Sequence, residues 1–151
     1  MPWPKSWVTM LLLDVNVCVY AIRQDSVDHA AYYEWVHGAL AADEPVGISE
    51  LVLSSVIRLL TNHRVFRQPS STAQALDACR ALRSAPAAVA LRPGPRHWDI
   101  FDSLCTKVGA KGNTVADAYH AALAIENGAT WITNDRGFGR FPGLRWRPPF
   151  D

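Results

Sequence analysis

The chain has 151 residues and a mass of 16.7 kDa; 49% of its residues are hydrophobic, 19% are charged, and the formal net charge is +1. That is one domain's worth of chain with enough apolar content for a core, which excludes a disordered tail or a coiled coil. No apolar run approaches the roughly 20 residues of a bilayer span.

Residues 1–9 carry a single Lys and no long apolar stretch, so they do not read as a secretory signal, and a cytoplasmic protein is expected. They form a leader ahead of a single domain spanning residues 10–151. Met10–Leu13 is an apolar run that stops at Asp14 and predicts a short buried strand. Val17–Ile22 continues as a short helix. Asp28 to Ala42 predicts a helix capped by Asp28, with Tyr32, Trp35, Val36 and Ala39 on one face. Pro45–Ile48 is a brief strand. Ser49 is placed to cap a helix reaching about Asn62, with Leu51, Val52, Val56, Leu59 and Leu60 inside, and His63–Pro69 follows as a basic loop.

Ser71 or Thr72 caps the next helix, which runs to about Ser84. Val89–Leu91 is a strand ended by Pro93-Gly-Pro95, and His97–Val108 is helical. After a turn at Gly109–Gly112, Asn113 or Thr114 is expected to cap an Ala-rich helix, Val115–Glu126, that stops at Asn127-Gly128. Thr130–Thr133 is a strand followed at once by Asn134-Asp135, and Leu144–Trp146 is a last edge strand. Short apolar strands alternating with helices predict a three-layer α/β/α sandwich around a short, mostly parallel sheet. The three cysteines, Cys18, Cys79 and Cys105, have no paired spacing and read as small buried hydrophobes.

Charge is spread unevenly along this order. Residues 1–50 hold seven acids and two bases, whereas residues 51–100 hold seven arginines and two acids. Twelve of the fifteen bases are Arg, the side chain suited to bidentate phosphate contact. Arg64, Arg67, Arg136 and Arg140 are candidates for contact with a phosphate-bearing partner, with ordinary surface charge as the competing reading.

Function in an open α/β sheet collects at the carboxyl ends of the strands. Asp14 and Asp135 both stand there. Glu50 and Asp117 fall in first helical turns, where the plain reading is dipole compensation. Asp117 is less easily explained that way, because Val-Ala-Asp117-Ala-Tyr-His-Ala-Ala-Leu-Ala-Ile is otherwise small or apolar. If Asp14, Asp117 and Asp135 converge, two carboxylates at about 4 Å repel by roughly 4 kcal/mol at an effective dielectric near 20. A cation between them relieves this, and an all-oxygen donor set favours Mg²⁺ or Mn²⁺, the ions of hydrolytic nucleases. The five histidines, His120 among them, read as structural.

Four segments together resemble a known family. Leu-Leu-Leu-Asp14-Val-Asn16-Val opens like a PIN domain. Asn113-Thr-Val-Ala-Asp117-Ala-Tyr-His resembles its central helix, and Thr130-Trp-Ile-Thr133-Asn134-Asp135-Arg-Gly-Phe138 resembles its closing acidic turn. Arg58-Leu-Leu-Thr-Asn-His-Arg-Val-Phe66, with the tail Phe141-Pro-Gly-Leu-Arg-Trp146, is similar to a subgroup of VapC toxins. The resemblance covers about Met10 to Pro148. It implies a PIN-like fold and a Mg²⁺- or Mn²⁺-dependent endoribonuclease, the toxin of a VapBC toxin–antitoxin pair, cutting RNA of the tRNA or rRNA class. It also implies a VapB-like antitoxin and a homodimer. By the same carry-over Asp14 and Asp117 are direct metal ligands, Asp135 is a ligand directly or through water, and Asn16 and Thr133 orient ligands or the attacking water.

The chain departs from the family at one place. Many PIN domains carry a Glu three residues before the helix Arg, here Arg58, and that position is Ser55. Glu50 is five residues earlier, a rotation of about 500° and a rise of about 7.5 Å along a helix, so it cannot replace the missing Glu in place. Glu50 reaching the groove from the helix start, or Ser55 holding a water, are the two substitutes.

The expected chemistry is in-line attack of an activated water on a phosphodiester, leaving a 5′-phosphate and a 3′-hydroxyl. Two other classes compete. An aspartyl-phosphate phosphotransfer domain would use Asp14 as nucleophile, but the second Asp such enzymes need two residues on is Asn16. A metal-free PIN-like module that binds RNA or protein without catalysis would account for Ser55, but leaves Asp117 unexplained.

Overall fold

The computed structural model describes residues 10–150. The leader, residues 1–9, lies outside the described residues. The elements run β1 (Leu11–Leu13), α1 (Val15–Ile22), α2 (His29–Ala41), β2 (Val46–Ser49), α3 (Glu50–Leu60), α4 (Thr72–Ser84), β3 (Ala88–Leu91), α5 (His97–Val108), α6 (Asn113–Glu126), β4 (Thr130–Ile132), a 3-10 turn (Arg136–Arg140) and β5 (Trp146–Arg147). The five strands form one sheet in the order β3-β2-β1-β4-β5, and every pairing is parallel. Central β1 is apolar at all three positions because both of its faces are covered.

From β1 the chain steps outward through β2 to β3, then returns past β1 to β4. Right-handed crossovers put α1–α4 on one face and α5–α6 on the other. The packing agrees: α1 contacts α2 and α3, α3 contacts α4, and α5 contacts α6. The direction of winding reverses between β1 and β4, and at that point a crevice opens beyond the strand ends.

The core joins Leu12, Leu13, Val46, Trp131 and Ile132 of the sheet to Val17, Val52, Val56 and Leu60 of the first helical layer. On the other face Ala118, Ala121, Ala122 and Ala124 of α6 are fully enclosed, and their short side chains bring this helix close to the sheet. Among the described residues no helix is long and apolar enough to cross a membrane.

Several local expectations are corrected. Asp28 precedes α2 in the left-handed region (φ 56°) and makes no side-chain cap. Neither Asn113 nor Thr114 caps α6, which begins directly after Gly112 (φ 56°), a conformation that Gly adopts at little cost. Ser49 precedes α3 without a capping hydrogen bond. Leu51 is exposed, because the helical rotation turns Val52, Leu53, Val56 and Leu60 inward instead. The last strand begins at Trp146 rather than Leu144. Ser71, by contrast, forms a full capping box with Gln74. Cys18 and Cys79 are buried, and Cys105 is half-buried.

Candidate active site

β1 ends at Leu13, and the next residue, Asp14, is also the N-cap of α1. The Val15 N–H donates to its Oδ1 at 2.6 Å. The backbone N–H of Asp14 donates to the Ile132 carbonyl at 3.0 Å, which holds the ends of β1 and β4 side by side. Across that seam the Thr133 hydroxyl donates to Asp14 Oδ2 at 2.6 Å and accepts from the Asp135 N–H at 3.0 Å. Both oxygens of Asp14 are thus oriented from behind. Thr133 is fully buried and acts through these two bonds.

Asp135 caps the short turn that follows, its Oδ1 accepting from the Gly137 N–H at 2.8 Å. Asp117 approaches from the second turn of α6 rather than the first, because the helix already begins at Asn113, and Arg140 donates to its Oδ2 at 3.2 Å. The three aspartates line one crevice of about 260 Å³, together with Asn16, Ser55, Arg58, Asn113 and His120. A second cavity of about 330 Å³ between α1, α2 and α4, walled by Ile22, Leu40, Ala78 and Leu82, contains no acid.

The electrostatics show that the carboxylates feel one another. Asp14 is only 7% exposed, and burial pushes its carboxyl up to about 6. The Thr133 and Val15 hydrogen bonds pull the other way, while the charges of Asp117 and Asp135 add to the rise. Asp117 is also raised, by burial first and by the Asp135 charge, with Arg140 opposing. An all-oxygen set in which buried Asp14 and half-buried Asp117 are desolvated and repelled by the charge of Asp135 fits a hard divalent cation. Among the described residues no three His, Cys, Asp or Glu side chains form a ready-made metal cage. Mg²⁺ does not need one, since it keeps several of its waters and takes one or two carboxylates.

His120 stacks on Trp131 with ring centroids 5.2 Å apart, and its Nδ1 is enclosed without a hydrogen-bond partner. Burial lowers its pKa to about 4, so the ring is neutral at physiological pH. His120, expected to be purely structural, also forms a wall of the crevice. Its place one helical turn after Asp117 was the available signal. Ser55 and Arg58 line the crevice from α3. Glu50 does not: it points to the far side of β2 and pairs with Arg92 at 2.7 Å. Arg64 and Arg67 stand on the exposed loop after α3, outside the crevice lining.

A PIN domain family model matches residues 11–144. The chain is 51% identical over 142 residues to the VapC ribonuclease Mb2897 of Mycobacterium bovis, covering 94% of this chain and 97% of the relative. It belongs to the PIN-domain family of VapC ribonuclease toxins. Identity to Ribonuclease VapC25 of Mycobacterium tuberculosis is 38%, covering 93% of this chain and 99% of that one. Among solved structures, VapBC2 from Rickettsia felis bound to a promoter DNA fragment superposes with a TM-score of 0.68 at 21% identity, covering 93% of this chain and 98% of that chain. VapC20 of M. tuberculosis, described as a Sarcin-Ricin loop cleaving toxin, gives 0.63 at 17%, covering 89% and 98%. At these identities the structures establish the fold. The PIN arrangement accounts for the reversal between β1 and β4 and for the acids gathered there.

Proposed function

We propose that this VapC-family chain is an endoribonuclease that hydrolyses RNA phosphodiester bonds with a bound Mg²⁺ or Mn²⁺. The observation that carries the reading is the meeting of Asp14, Asp117 and Asp135 in one crevice at the switch point of the sheet. Asp14 and Asp117 hold the ion, and Asp135 joins them directly or through water. When bound, the ion neutralises charge on the phosphate and makes hydroxide available near neutral pH.

The remaining work falls to the chain. Thr133 and the Val15 amide fix the orientation of the Asp14 carboxylate, so little reorganisation is left for the moment of reaction. Asp135 spends Oδ1 on Gly137 and keeps Oδ2 for the crevice. Asn16 and Asn113 offer amide groups on the walls, and Arg58 offers a cation for the phosphate. His120, neutral and stacked, closes one wall against water. The products are a 5′-phosphate and a 3′-hydroxyl. Ser55 at the position where many PIN domains have Glu leaves a gap that a water bonded to its hydroxyl can fill.

The VapC relatives support the toxin role, and the rest of the setting is part of the same proposal. The chain acts as the toxin of a VapBC pair in the cytoplasm, on RNA of the tRNA or rRNA class, as a homodimer restrained by a VapB-like antitoxin. Incubating the purified chain with structured RNA and Mn²⁺ tests the chemistry. We expect cleavage that chelation abolishes, and an Asp117→Asn rate lower by at least about 100-fold, since losing a direct ligand costs more than losing a supporting residue. Cleavage that persists in EDTA would reject the reading. Expression of the chain alone should arrest growth in a way that Asp117→Asn does not.

A further inference from the structure

Among the described residues, Arg140 is the one base in ion-pair contact with an aspartate of the crevice. Its grip is light. One N–H reaches Asp117 Oδ2 at 3.2 Å, and the two side chains are 44% and 27% exposed. A monodentate, half-exposed pair of this kind holds weakly. The guanidinium also lies 5.4 Å from the centre of the Phe141 ring.

The same group lies on the turn that Asp135 caps. A Cβ placed on Gly137 would lie 3.0 Å from Asp135 Oδ1 and 3.7 Å from Arg140 Nη2. The bare backbone there therefore borders both groups, and Arg140, outside the crevice lining itself, reaches Asp117 beside the gap between Asp117 and Asp135. That gap is where a divalent ion has to enter if the function proposed above is right. A guanidinium cannot be deprotonated to make way, and its fixed positive charge beside Asp117 opposes a dication on the same carboxylate. Release of the arginine from Asp117 as the ion arrives relieves that repulsion, and one light contact offers it little resistance. Its Phe141 contact keeps it at the rim, with a donor fork free for a phosphate.

We propose that Arg140 is a resident counter-cation of this crevice. It neutralises Asp117 while no divalent ion is present, is displaced when one binds, and then contacts the phosphate backbone of the RNA. The inference rests on the metal-dependent reading of the site. It predicts that removing Arg140 has opposite effects on the two ligands. A plain surface arginine would affect neither, and an arginine that shaped Asp117 for the ion would weaken metal binding when lost.

Calorimetric titration of the full chain with Mn²⁺ tests this, comparing wild type, Arg140→Gln, Arg136→Gln and Asp117→Asn. Arg136 is the control because it has the same charge on the same turn and its side chain makes no ion pair with the crevice acids. Arg140→Gln should bind Mn²⁺ about 3- to 10-fold more tightly than wild type, with Arg136→Gln within about twofold. At saturating Mn²⁺, Arg140→Gln should raise the KM for RNA by about 3- to 10-fold while changing kcat less. Mn²⁺ affinity in Arg140→Gln that is unchanged, weakened or matched by Arg136→Gln overturns the displacement, and an unchanged KM overturns the phosphate contact. Wild type that binds no Mn²⁺ fails the metal reading itself, and the inference with it. Wild type that binds while Asp117→Asn does not, with Arg140→Gln like wild type, fails only the role of Arg140.

Discussion

Two buried titratable residues of the crevice pull stability in opposite directions with pH. Asp14 has its carboxyl raised from 3.8 to about 6, so the folded chain holds this proton where the unfolded chain has lost it. Its contribution favours folding below pH 3.8 and is lost as pH rises toward 6, a swing of about 3 kcal/mol. His120 is lowered from 6.5 to about 4, so the unfolded chain is protonated first. Its contribution is complete above pH 6.5 and is lost as pH falls toward 4, by a similar amount of about 3 kcal/mol. In metal-free buffer the two largely cancel between pH 4 and 6, and single substitutions separate them. At pH 7.5 Asp14→Asn should be more stable than wild type by about 1–3 kcal/mol and should lose that advantage on acidification. His120→Phe, which keeps the stack on Trp131, should instead lose stability as pH rises from 4 to 6. Urea denaturation in EDTA at pH 4.5 and 7.5 reads both, and parallel pH profiles for the three proteins would refute the assignment.

At the scale of elements, the pattern of apolar runs and punctuating residues carries far, then stops at particular places. The α5 boundaries, His97–Val108, and the end of α6 before Asn127-Gly128 follow from pattern and from glycine at the helix stop. The capping box at Ser71 follows from Ser and Gln three residues apart. What the pattern does not decide is which of two neighbouring apolar residues turns inward, as with Leu51 and Val52, because helix rotation is set by the sheet below. It also does not show that Gly112 and Asp28, both at positive φ, lead the chain into α6 and α2 in place of side-chain caps. Strand β2 carries its own prediction. A methyl group on Gly47 would lie 2.5 Å from Leu91 Cδ1 and 3.2 Å from Leu12 Cδ1, side chains of the strands on either side. Gly47→Ala should therefore cost about 1–3 kcal/mol of overpacking, and Leu91→Val in the same chain should recover part of it. Equal stability of Gly47→Ala and wild type in thermal melts would show that the sheet gives way more easily than this packing implies.

For the molecule as a whole, the winding reversal decides which distant residues meet. Asp14 and Asp135 could be placed at strand ends from sequence, because each directly follows an apolar run. Asp117 could be singled out because an acid in an alanine-rich helix needs a partner. Their meeting point depends on β4 returning to lie beside β1 rather than β3, which no local pattern encodes. The same topology separates Glu50 from them: it follows β2, on the far side of β1, where Arg92 after β3 is the partner within reach. A fold that gathers three carboxylates across a seam closed by short hydrogen bonds is least favourable when the crevice holds no ion. Ligand that binds only the folded chain stabilises it by about 2.7 kcal/mol at 100-fold over its Kd. For a domain of this size each kcal/mol is worth roughly 2–4 °C. Saturating Mn²⁺ should therefore raise the melting midpoint of wild type by about 5–10 °C and leave that of Asp117→Asn nearly unmoved. Melting curves recorded across a Mn²⁺ series measure this directly, and an equal rise in both proteins would place the ion somewhere other than between these aspartates.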